Sequence, residues 1–180
     1  MVSQLSSTIE KLDRAQSEFL RALADIPEQV WRQSPSPGAW SGAEVVAHVM
    51  GVETAVVDHA GRILRKEPRR IPLVKRFRLP PAMVERRAIR IKSPMPVDTH
   101  LLAEKEAMSK QFAKVRGRTL RLIDETKNRD LRVYRWKHPV LGMLHAYGWF
   151  SFLASHQIRH AKQLREVARA LRKAVADLQK

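Results

Sequence analysis

The sequence contains no cysteine among its 180 residues. This absence excludes disulfide bonds, metal sites built from thiolates and a cysteine nucleophile. Any reactive thiol in the chemistry of this protein must therefore come from a cosubstrate.

Long apolar runs are also absent, and none approaches the roughly 20 residues that a membrane-spanning helix needs. The first residues lack the basic stretch followed by an apolar stretch that is typical of a signal peptide. We therefore expect a soluble, cytoplasmic protein without a membrane span. A chain of this length is long enough to bury a core of its own, and we predict a single domain over residues 1–180.

Acidic residues are scarce, since 18 aspartates and glutamates stand against 34 lysines and arginines, for a formal net charge of +16. Twelve basic residues and two acidic ones lie between residues 62 and 92. Such a surplus raises the expectation of contact with nucleic acid or an anionic membrane. Phe77 is the only aromatic ring of that segment, so platforms for base stacking are not favoured. We interpret the segment as a solvated loop, with the gathering of anionic substrates or an acidic partner as the alternative.

Apolar residues recur at helical spacing in four segments, which predicts four amphipathic helices. These segments span about residues 3–25, 41–67, 98–127 and 141–176. Ser41 and Glu44 have the spacing of a capping box at the start of the second segment, which favours a structural role for Glu44. Residues 130–139 alternate weakly and are consistent with an extended segment. The predicted fold class is all-α, a four-helix bundle.

The stretch between the second and third helices contains six prolines between residues 68 and 96, which exclude a continuous helix. A long connection of this kind allows two consecutive helices to run parallel, which a short turn does not. We therefore predict a long crossover between helices 2 and 3.

Three histidines occupy positions where a helical bundle would carry bulky apolar side chains. His48 lies on the inward stripe of the second helix, and His156 and His160 are four residues apart on the fourth. Residues at that spacing lie on the same face of a helix, and two imidazoles so placed can bind one metal ion. A single histidine on such a stripe is more often a hydrogen-bonded core residue. Three histidines on converging stripes favour a metal site.

Two further histidines share nearly the same helical azimuths. His59 follows His48 by three turns, and His145 precedes His156 by three turns. At about 1.5 Å per residue, both lie about 16 Å from the plane of the predicted metal site. We therefore predict structural positions for both of them.

Several short motifs resemble the DinB superfamily, including the YfiT-like metal-dependent proteins. Pro37–Ser41 leads into Glu44–His48, and the later part of the chain has His138–Gly142, then Trp149, then His156–Gln163. The two groups of motifs occur in the family's order, about a hundred residues apart.

This resemblance implies an up-down-down-up bundle, often dimeric, with a divalent metal ion bound by three histidines. Carried over to this sequence, the ligands are His48, His156 and His160. Family members with assigned activities are largely transferases or isomerases that depend on low-molecular-weight thiols.

The resulting hypothesis is a divalent-metal protein acting on a small-molecule substrate, as a hydrolase or as a thiol-dependent transferase with a thiol cosubstrate. Imidazole ligands suit zinc, nickel or iron. We expect a homodimer and assign no catalytic residue. The alternative is a non-enzymatic basic module that binds nucleic acid or an acidic partner.

Overall fold

The computed structural model describes residues 2–68, 71–86 and 97–178. The four predicted helices are present in these ranges, together with a two-stranded antiparallel hairpin. None of the described helices combines the length and apolar character that crossing a membrane requires. The elements are α1 (Val2–Ala24), α2 (Gly42–Leu64), α3 (Lys105–Glu125), β1 (Arg135–His138), β2 (Gly142–His145) and α4 (Ala146–Leu178).

The start of α2 is fixed by the predicted capping box. The Ser41 hydroxyl accepts a hydrogen bond from the backbone N–H of Glu44, and the Glu44 carboxylate accepts one from the Ser41 N–H at 2.8 Å. Gly42 follows, where a Cβ atom would lie 2.8 Å from side-chain atoms of Ile26 and Trp31. The first turn of α2 therefore packs against the end of α1, which places His48 within the bundle.

Helix α4 begins later than the sequence predicted, at Ala146 rather than at residue 141. Gly142 has a positive φ of 81°, and a Cβ atom there would lie 2.6 Å from the carbonyl oxygen of Phe77. This position favours glycine, and it starts β2 instead of a helical turn. The expectation that His145 lies on the helix was therefore wrong, because His145 is the last residue of β2.

Helix α3 is also shorter than predicted, since it begins at Lys105 rather than at about residue 98. The Asp98 carboxylate accepts a hydrogen bond from the N–H of His100 at 3.0 Å. A local bond of this kind competes with helix formation. The chain accordingly makes one separate turn, Thr99–Leu101, before the helix starts.

The buried apolar residues form two clusters along the bundle. One cluster, which includes Leu12, Leu144 and Phe150, lies beside the hairpin. The other joins the end of α1 to the start of α2, and it includes the stacked rings of Phe19 and Phe112 with centroids 4.9 Å apart.

Part of the predicted crossover is described, over residues 71–86. The N–H of Leu79 donates to the carbonyl of Leu141 at 2.9 Å, and the Glu85 carboxylate accepts a hydrogen bond from the Ser155 hydroxyl at 2.8 Å. This stretch therefore lies against both the hairpin and α4. Residues 69–70 and 87–96, which carry the rest of the predicted crossover and five basic residues of the 62–92 segment, lie outside the described residues.

Candidate metal centre

The structure brings together the three histidines that the sequence singled out. His48 comes from α2, and His156 and His160 come from successive turns of α4. The Nε2 atom of His156 lies 3.3 Å from Nε2 of His48 and 3.1 Å from Nε2 of His160. One ring nitrogen from each residue lies within 4.8 Å of the other two. His48 and His160 are buried, and His156 is partly buried.

The three rings cannot satisfy one another by hydrogen bonding. Nδ1 of His160 donates to Oε1 of Gln163 at 2.8 Å, so a neutral His160 presents only a lone pair at Nε2. His156 carries at most one proton at its Nε2, and so at most one of its two contacts with His48 and His160 is a hydrogen bond. Nδ1 of His48 is also buried without a hydrogen-bond partner among the described residues. The close approach of the three Nε2 atoms is therefore not explained by hydrogen bonding among the rings alone.

Burial keeps the imidazoles of His48 and His156 neutral. It lowers the pKa of His48 to about 4. It also lowers the pKa of His156 well below its usual value, with further contributions from the neighbouring rings of His160 and His48. At neutral pH these two rings are therefore in the uncharged form that binds a metal ion.

The spacing of the nitrogen atoms fits a common divalent ion. Imidazole nitrogens about 2.0–2.1 Å from one ion stand about 2.8–3.4 Å apart when the angles between their bonds range from octahedral to tetrahedral. The two short separations, 3.1 and 3.3 Å, fall in this range. Three protein ligands also leave at least one coordination position for another molecule.

Aromatic side chains form the walls of the cluster. The Trp40 ring, which precedes α2, lies 4.9 Å from the His48 ring and is stacked on His160 at 6.3 Å. The Phe152 ring lies 5.4 Å from the His156 ring. These contacts hold the three imidazoles in place and shield one side of the cluster from water.

A second buried polar cluster lies beside the histidines and was missed by the sequence analysis. The Glu53 carboxylate accepts hydrogen bonds from Nε and Nη2 of Arg116 at 2.9 and 3.1 Å, and from the Thr119 hydroxyl at 2.5 Å. Nε2 of Gln157 donates to the same carboxylate at 3.0 Å. Because Gln157 follows His156 directly, this network braces the turn of α4 that carries the histidine pair. Glu53 is a charged residue between the apolar positions 52 and 56, and this was the feature of the sequence that could have indicated the network.

The other two buried histidines, His138 and His145, accept hydrogen bonds from the backbone. Nδ1 of His138 accepts hydrogen bonds from the backbone N–H groups of Val140 and Leu141, both at 3.1 Å. Nδ1 of His145 accepts one from the N–H of Gly148 at 2.9 Å and so caps the start of α4. Within the described ranges, the one group of histidine and acidic residues with metal-binding spacing is the His48, His156 and His160 cluster.

Comparison with known proteins agrees with this architecture. The sequence pattern of the DinB superfamily matches residues 11–164, and the chain belongs to this superfamily. The resemblance seen in the motifs is therefore confirmed.

Two individual proteins are also similar to the chain. It is 24% identical over 164 residues to the uncharacterized protein YuaE of Bacillus subtilis (strain 168), an alignment that covers 90% of this chain and 98% of that protein. The crystal structure of TT2238, described as a four-helix bundle protein, matches with a TM-score of 0.57 at 19% identity and covers 90% of this chain and 98% of that one. These likenesses support the four-helix bundle and carry no assignment of activity.

Proposed function

We propose that the protein binds one divalent metal ion through His48, His156 and His160 and uses it in a reaction on a small-molecule substrate. The reaction is hydrolysis or a group transfer that depends on a low-molecular-weight thiol. The observation that carries the proposal is the convergence of three Nε2 atoms of which at most one pair can be hydrogen-bonded. Zinc, nickel and iron all suit imidazole ligands.

The residues around the site would orient the metal ligands and limit the access of water. Gln163 holds the His160 ring with Nε2 directed inward, as an outer hydrogen-bond partner does for a ligating histidine. Trp40 limits the approach of water along one side. A divalent ion in this position would supply a Lewis acid that lowers the pKa of a water molecule or a thiol. Since the chain has no cysteine, the thiol would be a second substrate.

The proposal is tested by metal analysis of protein purified without a histidine tag. We expect about one metal ion per chain in the wild type, and its loss in His156→Ala, because the partial site retains only two ligands. His59→Ala is the matched control, since it also removes an imidazole from the bundle and should keep the metal. Equal metal content in all three proteins would contradict the site. If the metal is present in the wild type and lost in His156→Ala, paired assays for hydrolysis and for thiol-dependent transfer would assign the reaction.

The alternative function is non-enzymatic binding of nucleic acid or an acidic partner by the basic segment. The surplus of basic over acidic residues between positions 62 and 92 favours it. Binding to DNA through phosphate contacts would fall steeply with salt. Tight DNA binding by the metal-free protein at physiological salt would support this alternative over the enzyme.

We also propose that residues 1–180 form a single domain with up-down-down-up topology. Ion pairs that join α2 to α3, and others that join α1 and the residue after it to α4, follow the same order along both helices, which supports a parallel arrangement within each pair. These ion pairs are Glu53–Arg116, Asp58–Arg118, Glu18–Arg165 and Asp25–Arg172. The homodimer and the cytoplasmic location stay predictions.

A further inference from the structure

The exposed large hydrophobic residues of the described chain lie in one region. Four belong to the crossover stretch 71–86 and two to the stretch 130–145 that contains the hairpin. They are Leu73, Val74, Phe77, Met83, Val133 and Val140. Backbone hydrogen bonds from Leu79 to Leu141 and from Met143 to Phe77 join the two stretches. We call residues 71–86 and 130–145 together the hairpin surface.

The hairpin surface is also strongly basic. It carries seven basic residues and two acidic ones. Both acidic side chains are engaged, since Glu85 accepts a hydrogen bond from Ser155 and Asp130 pairs with Arg132 at 2.8 Å. The basic residues are Lys75, Arg76, Arg78, Arg86, Arg132, Arg135 and Lys137.

Apolar and basic side chains alternate closely at the most exposed part of this surface. Leu73, Val74 and Phe77 are 78%, 85% and 74% exposed, and Lys75 and Arg76 lie between them in the chain. An isolated exposed apolar side chain is ordinary, whereas a cluster bordered by charge marks an interaction site. The cluster requires a partner that is both negatively charged and able to accept protruding apolar groups.

We propose that the hairpin surface docks the protein onto an anionic lipid bilayer. Leu73, Val74 and Phe77 enter the boundary between headgroups and acyl chains, and Lys75 and Arg76 lie against the lipid phosphates. Segments that combine apolar side chains with lysine and arginine bind membrane interfaces in this way, and their affinity depends on anionic lipid.

Three other partners fit this surface less well. A second copy of the chain would place the same basic residues against one another across a twofold axis, which is unfavourable. A peptide would bind in the neighbouring groove lined by Lys75, Trp136 and Met143, whose lining does not include Leu73, Val74 or Phe77, and it would leave these three side chains exposed. Nucleic acid would match the charge, but the aliphatic side chains of Leu73 and Val74 offer no ring for stacking on bases.

The most exposed part of this surface, residues 73–77, pairs with the hairpin at Met143, whereas its other end contacts the histidine-bearing part of α4 through Glu85 and Ser155. His156 is ten residues into α4 from its start beside the hairpin, which corresponds to about 15 Å along the helix axis. The inference therefore does not depend on a metal ion, and it goes beyond the proposed function.

The test is cosedimentation of the full chain with vesicles of phosphatidylcholine alone or with added phosphatidylglycerol. Since each basic side chain near an anionic bilayer contributes about fivefold to binding, Lys75→Gln/Arg76→Gln should weaken binding to the anionic vesicles by about 25-fold. Leu73→Ser/Phe77→Ser keeps the charge and should weaken binding by more than about tenfold, because it removes the inserted groups. Lys11→Gln/Lys114→Gln changes the net charge equally at exposed sites elsewhere and should have a small effect.

The outcomes separate the possible partners, provided that thermal melting shows all variants to be folded. Equal losses in the two charge variants would overturn the inference, because binding would then depend on total charge. Unchanged binding by Leu73→Ser/Phe77→Ser would overturn it as well. Two further results would overturn the inference if the protein does not bind vesicles. One is a wild-type dimer that Leu73→Ser/Phe77→Ser dissociates, and the other is DNA binding that depends on Lys75 and Arg76.

Discussion

Five histidines of the described bundle form two groups that differ in what their ring nitrogens face. In His138 and His145, Nδ1 accepts hydrogen bonds from backbone N–H groups. In the cluster of His48, His156 and His160, the Nε2 atoms face one another. Burial lowers the pKa of histidines in both groups, to about 4 for His48, His138 and His145.

The comparison shows that burial and a lowered pKa do not by themselves identify a metal ligand. Both groups have these properties, yet the first group has its lone pairs occupied by the backbone. The direction of the nitrogen lone pair distinguishes the groups, because a nitrogen that binds a metal ion cannot use the same lone pair to accept a hydrogen bond. Each of the following measurements tests the role of one of the two groups.

The largest expected effect concerns acid and the structural histidine His145. Its ring nitrogens face the N–H of Gly148 and, at 2.9 Å, the Arg78 guanidinium, and burial, Arg78 and Arg135 lower its pKa to about 4. Between pH 6.5 and 4 the unfolded chain therefore binds a proton that the folded chain does not. The free energy of unfolding should fall by about 3 kcal/mol over this range. Above pH 6.5 the contribution of His145 to this free energy should stay constant.

Urea unfolding near pH 7 and pH 4, with chelator present throughout, measures this effect. His145→Asn retains an oxygen that can cap α4 and does not titrate, so its pH dependence should be flatter by about 3 kcal/mol. His100→Asn, at an exposed position, is the control and should behave like the wild type. Identical slopes for all three proteins would show that His145 does not contribute to acid sensitivity.

The next effect is the response of the metal-loaded protein to a chelator. A ligand that binds only the folded state stabilises it by about 2.7 kcal/mol when its concentration is a hundred times Kd. We therefore expect chelation to lower Tm at pH 7.5 in the wild type and in His145→Asn. His156→Ala should show no response. A chelator response that survives in His156→Ala would place the metal elsewhere.

The smallest of the three effects concerns the orientation of a ligand by its hydrogen-bond partner. Gln163→Ala removes the acceptor for Nδ1 of His160, and loss of such a partner typically lowers metal affinity by about 10- to 100-fold. Competition with a coloured chelator would measure the change. Gln111→Ala, the same substitution at an exposed position of α3, should leave the affinity unchanged; a similar loss there would indicate a general effect on the bundle.

The sequence was sufficient to predict the helices and the three converging histidines, since both depend on local periodicity. The first strand of the hairpin lies in the segment 130–139 that the sequence indicated as extended, but the second strand was missed because Leu141 and Leu144 continue the apolar spacing of α4. The contact that ends the helix at Ala146 depends on Gly142 meeting the backbone of Phe77. That contact comes from tertiary structure and leaves no periodic signal in the sequence.

The Glu53 network was missed for a related reason. Its partners Arg116, Thr119 and Gln157 are 63, 66 and 104 residues away in the sequence. A buried carboxylate is stable only with such partners, but a single sequence does not show which distant residues supply them. The contact of Gln163 with His160 likewise depends on side-chain positions that the sequence does not show.

The same carboxylate has a consequence for how the protein folds. Glu53 belongs to α2, its guanidinium partner to α3 and its amide partner to α4, so three helices must assemble before its charge is fully paired. A partly assembled form without α3 would bury an unpaired carboxylate, at a cost of about 3–5 kcal/mol. Such intermediates should be sparsely populated, and the bundle should unfold in a single cooperative transition.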